Sequence, residues 1–250
     1  DVYKRQDNGV QVGRLWLKGG FYGIEEMEIE ARLTLGEFLG IAGDFARAYQ
    51  ELASAGKLSE DIYTETYNTW PVQADYLTGV TAVREGDHDA ARSAAAGIRR
   101  YVETKQYDEA LLDYYYMLLC NVYLDEGNAP DAAAMLGSIS PLMRHHNPCC
   151  KAMAVELKAL RGETEQAIRE YLTLSREFSD AQYNFFDHFM IRSLADYRVA
   201  RLYDEMGDRE QAIAYYRKAL DQWADADPDL PELIAAKQRL KELAGINHDR

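Results

Sequence analysis

Five glycine–alanine pairs recur along this chain with the same internal spacing. In each pair, a run of apolar, helix-forming residues ends in a Gly followed by a polar residue, and an Ala lies five positions after that Gly. A small side chain lets two helices pack closely just after the turn that joins them. The pattern therefore predicts a series of helical hairpins. The pairs are Gly43/Ala48, Gly86/Ala91, Gly127/Ala132, Gly162/Ala167 and Gly207/Ala212.

The distances between successive pairs indicate long repeats. The chain has 250 residues, of which 47% are hydrophobic, and a stacked array of this length needs no single central core. Three of the four spacings clearly exceed the roughly 34 residues of a common helical-hairpin repeat, so we expect longer helices or longer loops. Candidate loops are residues 55–60, 68–71 and 145–148, because Gly, Ser, Asn and Pro there interrupt the helical pattern.

The charge of the chain excludes several classes of partner. A formal net charge of −14 argues against sequence-independent binding to nucleic acid or to anionic lipid, which needs clustered Lys and Arg. A protein or peptide partner is expected to be neutral or basic. The longest apolar stretch, residues 111–124, is interrupted by Asp113 and Asn121 and is too short to span a bilayer. We therefore expect no membrane insertion.

The cysteines and their neighbours favour a reduced chain without a metal. Three cysteines are an odd number, which argues against a disulfide framework and fits a reducing compartment, the cytoplasm. His145, His146, Cys149 and Cys150 lie within six positions, but a structural zinc site usually takes two separated pairs of ligands. We favour a loop followed by a helix start, and expect no metal and no cofactor.

No catalytic motif is evident in the sequence. Asp225, Asp227 and Asp229 alternate like the start of a calcium loop, but Leu230 and Ala236 occupy the positions that need Gly and Glu, so an acidic turn is preferred. A Gly-rich phosphate loop, a GxSxG elbow, an HExxH motif and the elements of a kinase lobe are all missing from the sequence. We expect the chain not to be an enzyme.

The clearest repeat lies in residues 197–220, which read YRVARLYDEMGDREQAIAYYRKAL. This segment resembles the tetratricopeptide repeat at the small, aromatic and glycine positions of that family's pattern. The earlier repeats match fewer positions, and in the fourth one Lys158 stands where the family has an aromatic residue. The matching residues of the last repeat are Ala200, Tyr203, Gly207, Ala212, Tyr216 and Ala219.

The resemblance implies an all-α fold, a right-handed α-α superhelix of about five tetratricopeptide-like hairpins over residues 27–223. Residues 224–250 are expected to form a capping helix and tail, because Pro231 suits a first helical turn and an apolar stripe follows it. A stacked array needs such a helix to cover its last hairpin. The stripe consists of Leu233, Ala236, Leu240 and Leu243.

The resemblance also implies a function, a protein-interaction scaffold that binds a peptide or protein in a concave groove lined by the first helix of each hairpin. Three alternatives stay open: a free-standing adaptor, the docking or sensory region of a larger bacterial Ser/Thr kinase or transcriptional regulator, and self-association through an end repeat. The second is suggested by the tail, which is similar to the end of tetratricopeptide regions in such proteins. The groove positions carried over are Tyr76, Val80, Arg84, Tyr114, Met117, Asn121, Glu156, Tyr197 and Arg201.

The first residues differ from the rest of the chain. Residues 1–6 read DVYKRQ, which resembles the translation of a transposon-end sequencing adapter, and such a segment is not expected to belong to the fold. Residues 7–26 mix apolar residues with glycines and are interpreted as the remnant of an upstream unit or as a linker.

Overall fold

A computed structural model describes residues 25–61, 69–105, 109–177, 185–224, 228 and 230–245. The expectations for residues 1–6, for nearly all of 7–26, and for Asp225, Asp227 and Asp229 lie outside the described residues.

The described residues are all-helical, as predicted, and contain no strand. Twelve α-helices and one short 3₁₀ turn follow one another along the described residues, and most of the helices pack against the next helix in the chain. The helices are α1 (Glu25–Ala42), α2 (Phe45–Asp61), α3 (Trp70–Glu85), α4 (His88–Lys105), α5 (Leu112–Asp125), α6 (Ala129–Ser138), α7 (Pro141–His146), α8 (Pro148–Leu160), α9 (Thr164–Glu177), α10 (Phe185–Glu205), α11 (Arg209–Gln222) and α12 (Pro231–Leu243).

The five predicted glycines all form the turns of hairpins, which are α1/α2, α3/α4, α5/α6, α8/α9 and α10/α11. Each of these glycines has a positive φ, between 71° and 85°. At Gly86, two backbone hydrogen bonds close the end of α3: Gly86 N–H donates to the Val83 carbonyl at 3.1 Å, and Asp87 N–H donates to the Ala82 carbonyl at 2.9 Å. A left-handed residue at this position is the usual way to end a helix, and glycine adopts it most readily.

The alanine of every pair is buried at the contact between the two helices of its hairpin. Ala48, Ala91, Ala132, Ala167 and Ala212 all have 0% exposure. The first hairpin shows how close the approach is, because a Cβ placed on Gly36 of α1 would lie 3.3 Å from the Ala48 carbonyl oxygen of α2. The prediction that small residues mark the helix contacts is confirmed.

Residues 55–60, predicted as a loop, are instead the last turns of α2. Ala55 and Ser59 are fully buried, and a Cβ on Gly56 would lie at an ordinary contact distance of 3.6 Å from the Cβ of Ala74 on α3. Packing against α3 therefore outweighs the low helix propensity of the Gly and Ser residues. The predicted loop was wrong because that packing partner is not visible locally in the sequence.

Each of the other two predicted loops lies at the start of a helix. The described part of 68–71 begins α3, with Pro71 in its first turn. In 145–148, Asn147 separates α7 from α8, and its side-chain oxygen accepts hydrogen bonds from the backbone N–H groups of Cys149 and Cys150 at 2.8 and 3.2 Å. This is an N-cap. The predicted helix start is confirmed there, whereas the predicted loop shortens to Asn147 alone, because residues 145–146 end α7 and Pro148 begins α8.

The short helix α7 was not predicted. The buried Asp113 of α5 accepts hydrogen bonds from the Ser140 backbone N–H at 2.8 Å and from the Ser140 hydroxyl at 2.6 Å. Pro141 follows and disfavours a helical conformation at Ser140, so α6 stops at Ser138. Ser140 then caps α7 by accepting from the Met143 N–H at 3.3 Å. The deciding partner lies 27 residues away from Ser140.

The chain divides into two compact units, one up to Arg144 and one from His145 onward. The first unit holds three hairpins, with a core that includes Ile98 and Leu118. The second unit holds two hairpins and α12. Each unit has its own buried core.

The capping helix of the second unit is present as α12. Its apolar stripe packs against the cluster that contains the buried Trp223 and Leu230, with Leu233 and Ala236 buried and Leu240 and Leu243 partly buried. The right-handed superhelix stays a prediction. Among the described residues, no helix combines the length and the apolar composition that crossing a membrane requires.

Candidate interaction surface on the first helices

The first helices of successive hairpins lie directly against one another in the first unit. Gly40 of α1 faces Thr81 of α3, whose Oγ1 would lie 2.7 Å from a Cβ at position 40. Gly79 of α3 faces Leu118 of α5 in the same way, and a Cβ at position 79 would collide with the Leu118 side chain. Because glycine has no side chain at these two contacts, α1, α3 and α5 can lie side by side.

In the second unit an ion pair joins the first helices α8 and α10. The Arg198 guanidinium lies 3.3 Å from a carboxylate oxygen of Glu156. We call α1, α3 and α5 of the first unit, and α8 and α10 of the second unit, the first-helix face of each unit.

One register position distinguishes these faces from the core. The residue six positions before each hairpin glycine is partly or fully exposed in all five hairpins, whereas the residue seven positions before it is always buried. A helical period places adjacent residues about 100° apart, so one points to the core and the other away from it. The residues at the position six before the glycine are Glu37, Val80, Asn121, Glu156 and Arg201, and those at the position seven before it are Gly36, Gly79, Cys120, Val155 and Ala200.

The structure brings together the aromatic residues predicted for the first unit. The rings of Tyr76 and Tyr114 are edge-to-face, with centroids 5.3 Å apart and an interplanar angle of 71°. Both rings are half-buried and pack, with Val80, against the core cluster that includes Leu118. The neighbouring Asn121 is also half-buried. Tyr76, Val80 and Tyr114 therefore lie together where α3 meets α5, and Asn121 lies two helical turns after Tyr114 on α5.

Two residues predicted for the groove contribute to the packing of the helices instead. Met117 is 2% exposed, so its side chain is buried and offers almost no surface to a partner. Arg84 donates to the backbone carbonyls of Gly40 and Ile41 at 3.3 and 3.2 Å. A cation at the C-terminal end of α1 satisfies its last carbonyls and its dipole, so Arg84 links α3 to α1.

In the second unit, Tyr197 mainly completes the core. Its ring lies 5.7 Å from that of Trp223 and 6.1 Å from that of Tyr216, measured between centroids. Burial raises the pKa of its hydroxyl. Arg201, one turn further along α10, is exposed, and its guanidinium lies 3.7 Å from a carboxylate oxygen of Glu205. Arg201 is thus a cation available to a partner.

Sequence reasoning missed two residues of these faces. Glu37 occupies the register position of Val80 and Asn121, and counting back from Gly43 would have found it. Arg198 pairs with Glu156 and lies over the ring of the buried Tyr171, with 5.6 Å from its guanidinium carbon to the ring centroid. The latter arrangement has no local sequence signal, because it depends on the packing of three helices.

The cysteine and histidine residues do not converge. His145 and His146 are exposed at the end of α7, Cys149 is half-buried and Cys150 is buried. Within the described ranges, no group of three or more His, Cys, Asp or Glu side chains is arranged to hold a metal ion. The three cysteines form no disulfide bond with one another, and burial raises the pKa of Cys120 to about 12.

No known protein family matches this sequence, and the search of curated proteins also finds no match.

Proposed function

We propose that the chain is a protein-interaction scaffold that binds a peptide or protein segment on its first-helix faces. The observation that supports this best is the register position six residues before each hairpin glycine. In all five hairpins the residue at this position is partly or fully exposed. The five residues are an acid, an aliphatic residue, an amide, a second acid and a base. Packing does not require this variety, whereas selecting among partners needs chemically different contacts.

The charge of the molecule favours a neutral or basic partner. The chain carries 42 acidic and 28 basic residues, and Glu37 and Glu156 place carboxylates on the first-helix faces. Opposite charge raises association rates and disfavours like-charged competitors. Half-buried aromatic rings such as Tyr76 and Tyr114 supply the apolar contact area on which interface affinity usually depends.

The experiment is a selection of peptides from a random library displayed on phage, followed by affinity measurements with matched variants. Arg201→Ala removes a cation from α10, and Arg217→Ala removes an equally exposed cation from the second helix α11. For peptides bound by the second unit, we expect Arg201→Ala to change Kd by about tenfold and Arg217→Ala to leave it unchanged.

The first unit offers a second matched pair. Asn121→Ala alters α5 on the first-helix face, and Gln50→Ala alters an exposed amide on the second helix α2. For peptides bound by this unit, only Asn121→Ala is expected to weaken binding. The proposal is wrong if the second-helix variants weaken binding as much as the first-helix variants, or if the library yields no peptide that binds saturably.

A further inference from the structure

A cleft of about 640 Å³ lies between helices α2, α3 and α4 of the first unit. The residues that line it include Gly56 of α2, Asp75 of α3 and Gly97 of α4. Further along, the cleft is lined by Glu60 of α2 and by Arg100 and Lys105 of α4. We call this region the Asp75 cleft.

The carboxylate of Asp75 is pressed against α4 without a bonded partner. A Cβ at position 97 would collide with Asp75 Oδ2, so only glycine leaves room for the carboxylate there. Among the described residues no donor makes a hydrogen bond or an ion pair with it, and Arg100 acts on it only through its electric field. A partly buried carboxylate in this situation is costly when it is ionised.

We propose that the Asp75 cleft binds one alkylammonium group, the charged end of a small amine or of a lysine side chain. An ammonium brings three N–H donors and a positive charge to a carboxylate that lacks both. The methylene stem of the amine would lie in the cleft, whose volume is about 640 Å³. This site is distinct from the surface proposed for partner binding and does not depend on it.

The charges around the cleft are compatible with a cation. Glu60 adds a second carboxylate from α2, and the molecule as a whole carries a net charge of −14. Arg100 and Lys105 oppose a bound cation, but both side chains are exposed, where water and salt screen their charge. Asp75 is more enclosed than either cation, so its interaction with a bound ammonium is screened less.

The test is a titration followed by ¹⁵N–¹H NMR, with the backbone amide signals of Gly56 and Gly97 as reporters. The probes are cadaverine, a free diamine, and N-acetyl-lysine methylamide, which represents a lysine within a protein. The uncharged 1,5-pentanediol serves as the control probe. We expect saturable shifts of both glycine signals with the amines at pH 7.5 and none with the diol. The amine that binds more tightly identifies the source of the group.

Two variants make the test specific. Asp75→Asn keeps the shape of the side chain and should weaken amine binding by about tenfold or more. Glu163→Gln makes the same change of charge at an exposed residue of the second unit and should have no effect. Burial raises the pKa of Asp75 to about 6, opposed by Arg100 and reinforced by Glu60, so binding should weaken by about tenfold at pH 5.

The proposal is overturned by any of three results: neither amine gives a saturable shift, the diol shifts the signals equally, or Asp75→Asn binds as tightly as the wild type.

Discussion

At the scale of single residues, the hairpin glycines show that backbone conformation, rather than space, dictates the residue type. A Cβ added to Gly86 would meet no atom within 4 Å, yet its φ is +85°. A larger residue would therefore fit sterically but would adopt a left-handed conformation at a cost.

This gives a stability prediction with an internal control. Gly86→Ala should lower the free energy of unfolding by about 1 kcal/mol, because alanine is strained at a positive φ. Gly137 lies within α6 with an equally open surrounding, and Gly137→Ala should raise the free energy of unfolding by about 0.5 kcal/mol, because alanine favours the helix. Urea unfolding followed by circular dichroism measures both. Equal effects of the two variants would contradict the assigned turn.

Asp75 predicts a pH dependence of stability. Its pKa is raised from 3.8 to about 6 in the folded chain, first by burial. Between these two values the folded state holds a proton that the unfolded state has released, so the free energy of unfolding falls as the pH rises through this window. Asp75→Asn removes the ionisable group. It should stabilise the protein at pH 7 by about 1 kcal/mol, less than a fully buried group would give because solvent still reaches the carboxyl.

The measurement is urea unfolding of wild type and variant at pH 7 and at pH 4, where the difference attributed to ionisation should vanish. Glu163→Gln should show the same difference from wild type at both pH values. A loss of stability on Asp75→Asn at pH 7 would show that the ionised carboxylate has a stabilising partner.

At the scale of helices, the buried alanines set how closely the two helices of a hairpin approach. Ala212 of α11 is 0% exposed, whereas Ala214 of the same helix is exposed. Ala212→Leu should overpack the contact with α10 and lower the free energy of unfolding by about 1–3 kcal/mol. Ala214→Leu should change it by less than about 0.5 kcal/mol. Thermal unfolding of both variants checks this, and a tolerated leucine at 212 would refute the contact.

The elements that the sequence predicts correctly are those encoded by nearby residues. The glycine turns, the buried alanines and the stripe on α12 depend on local spacing, which a helix turns directly into a face. Three features depend on distant partners and were not predictable: the extension of α2 along Ala74 of α3, the end of α6 at Asp113, and the ion pair between Arg198 and Glu156.

The residues predicted for the site also divide into those set by local spacing and those set by distant partners. Val80 and Asn121 are half-buried and Arg201 is exposed, and the repeat register alone separates them from the buried residue that precedes each of them. Met117 and Arg84 differ because their surroundings are made by other helices. Lys158, which replaces an aromatic residue of the pattern, pairs with Glu170 of α9, so an ion pair contributes to that hairpin.

At the scale of the whole molecule, the chain combines repeated hairpins with a strongly acidic surface. Each unit forms its own core, and each has a face made of first helices side by side. The net negative charge does not stabilise the folded state, because like charges repel one another within a compact chain. The proposed preference for neutral or basic segments would give this charge a role in selecting partners.

Amide hydrogen exchange in the presence of a selected peptide tests the central claim most directly, because it locates the bound segment without altering the protein. Binding on the first-helix faces predicts that added protection concentrates in α3 and α5, or in α8 and α10, and leaves the exposed sides of α4, α6, α9 and α11 unchanged. Protection concentrated in those second helices, with the first helices unaffected, would contradict the account.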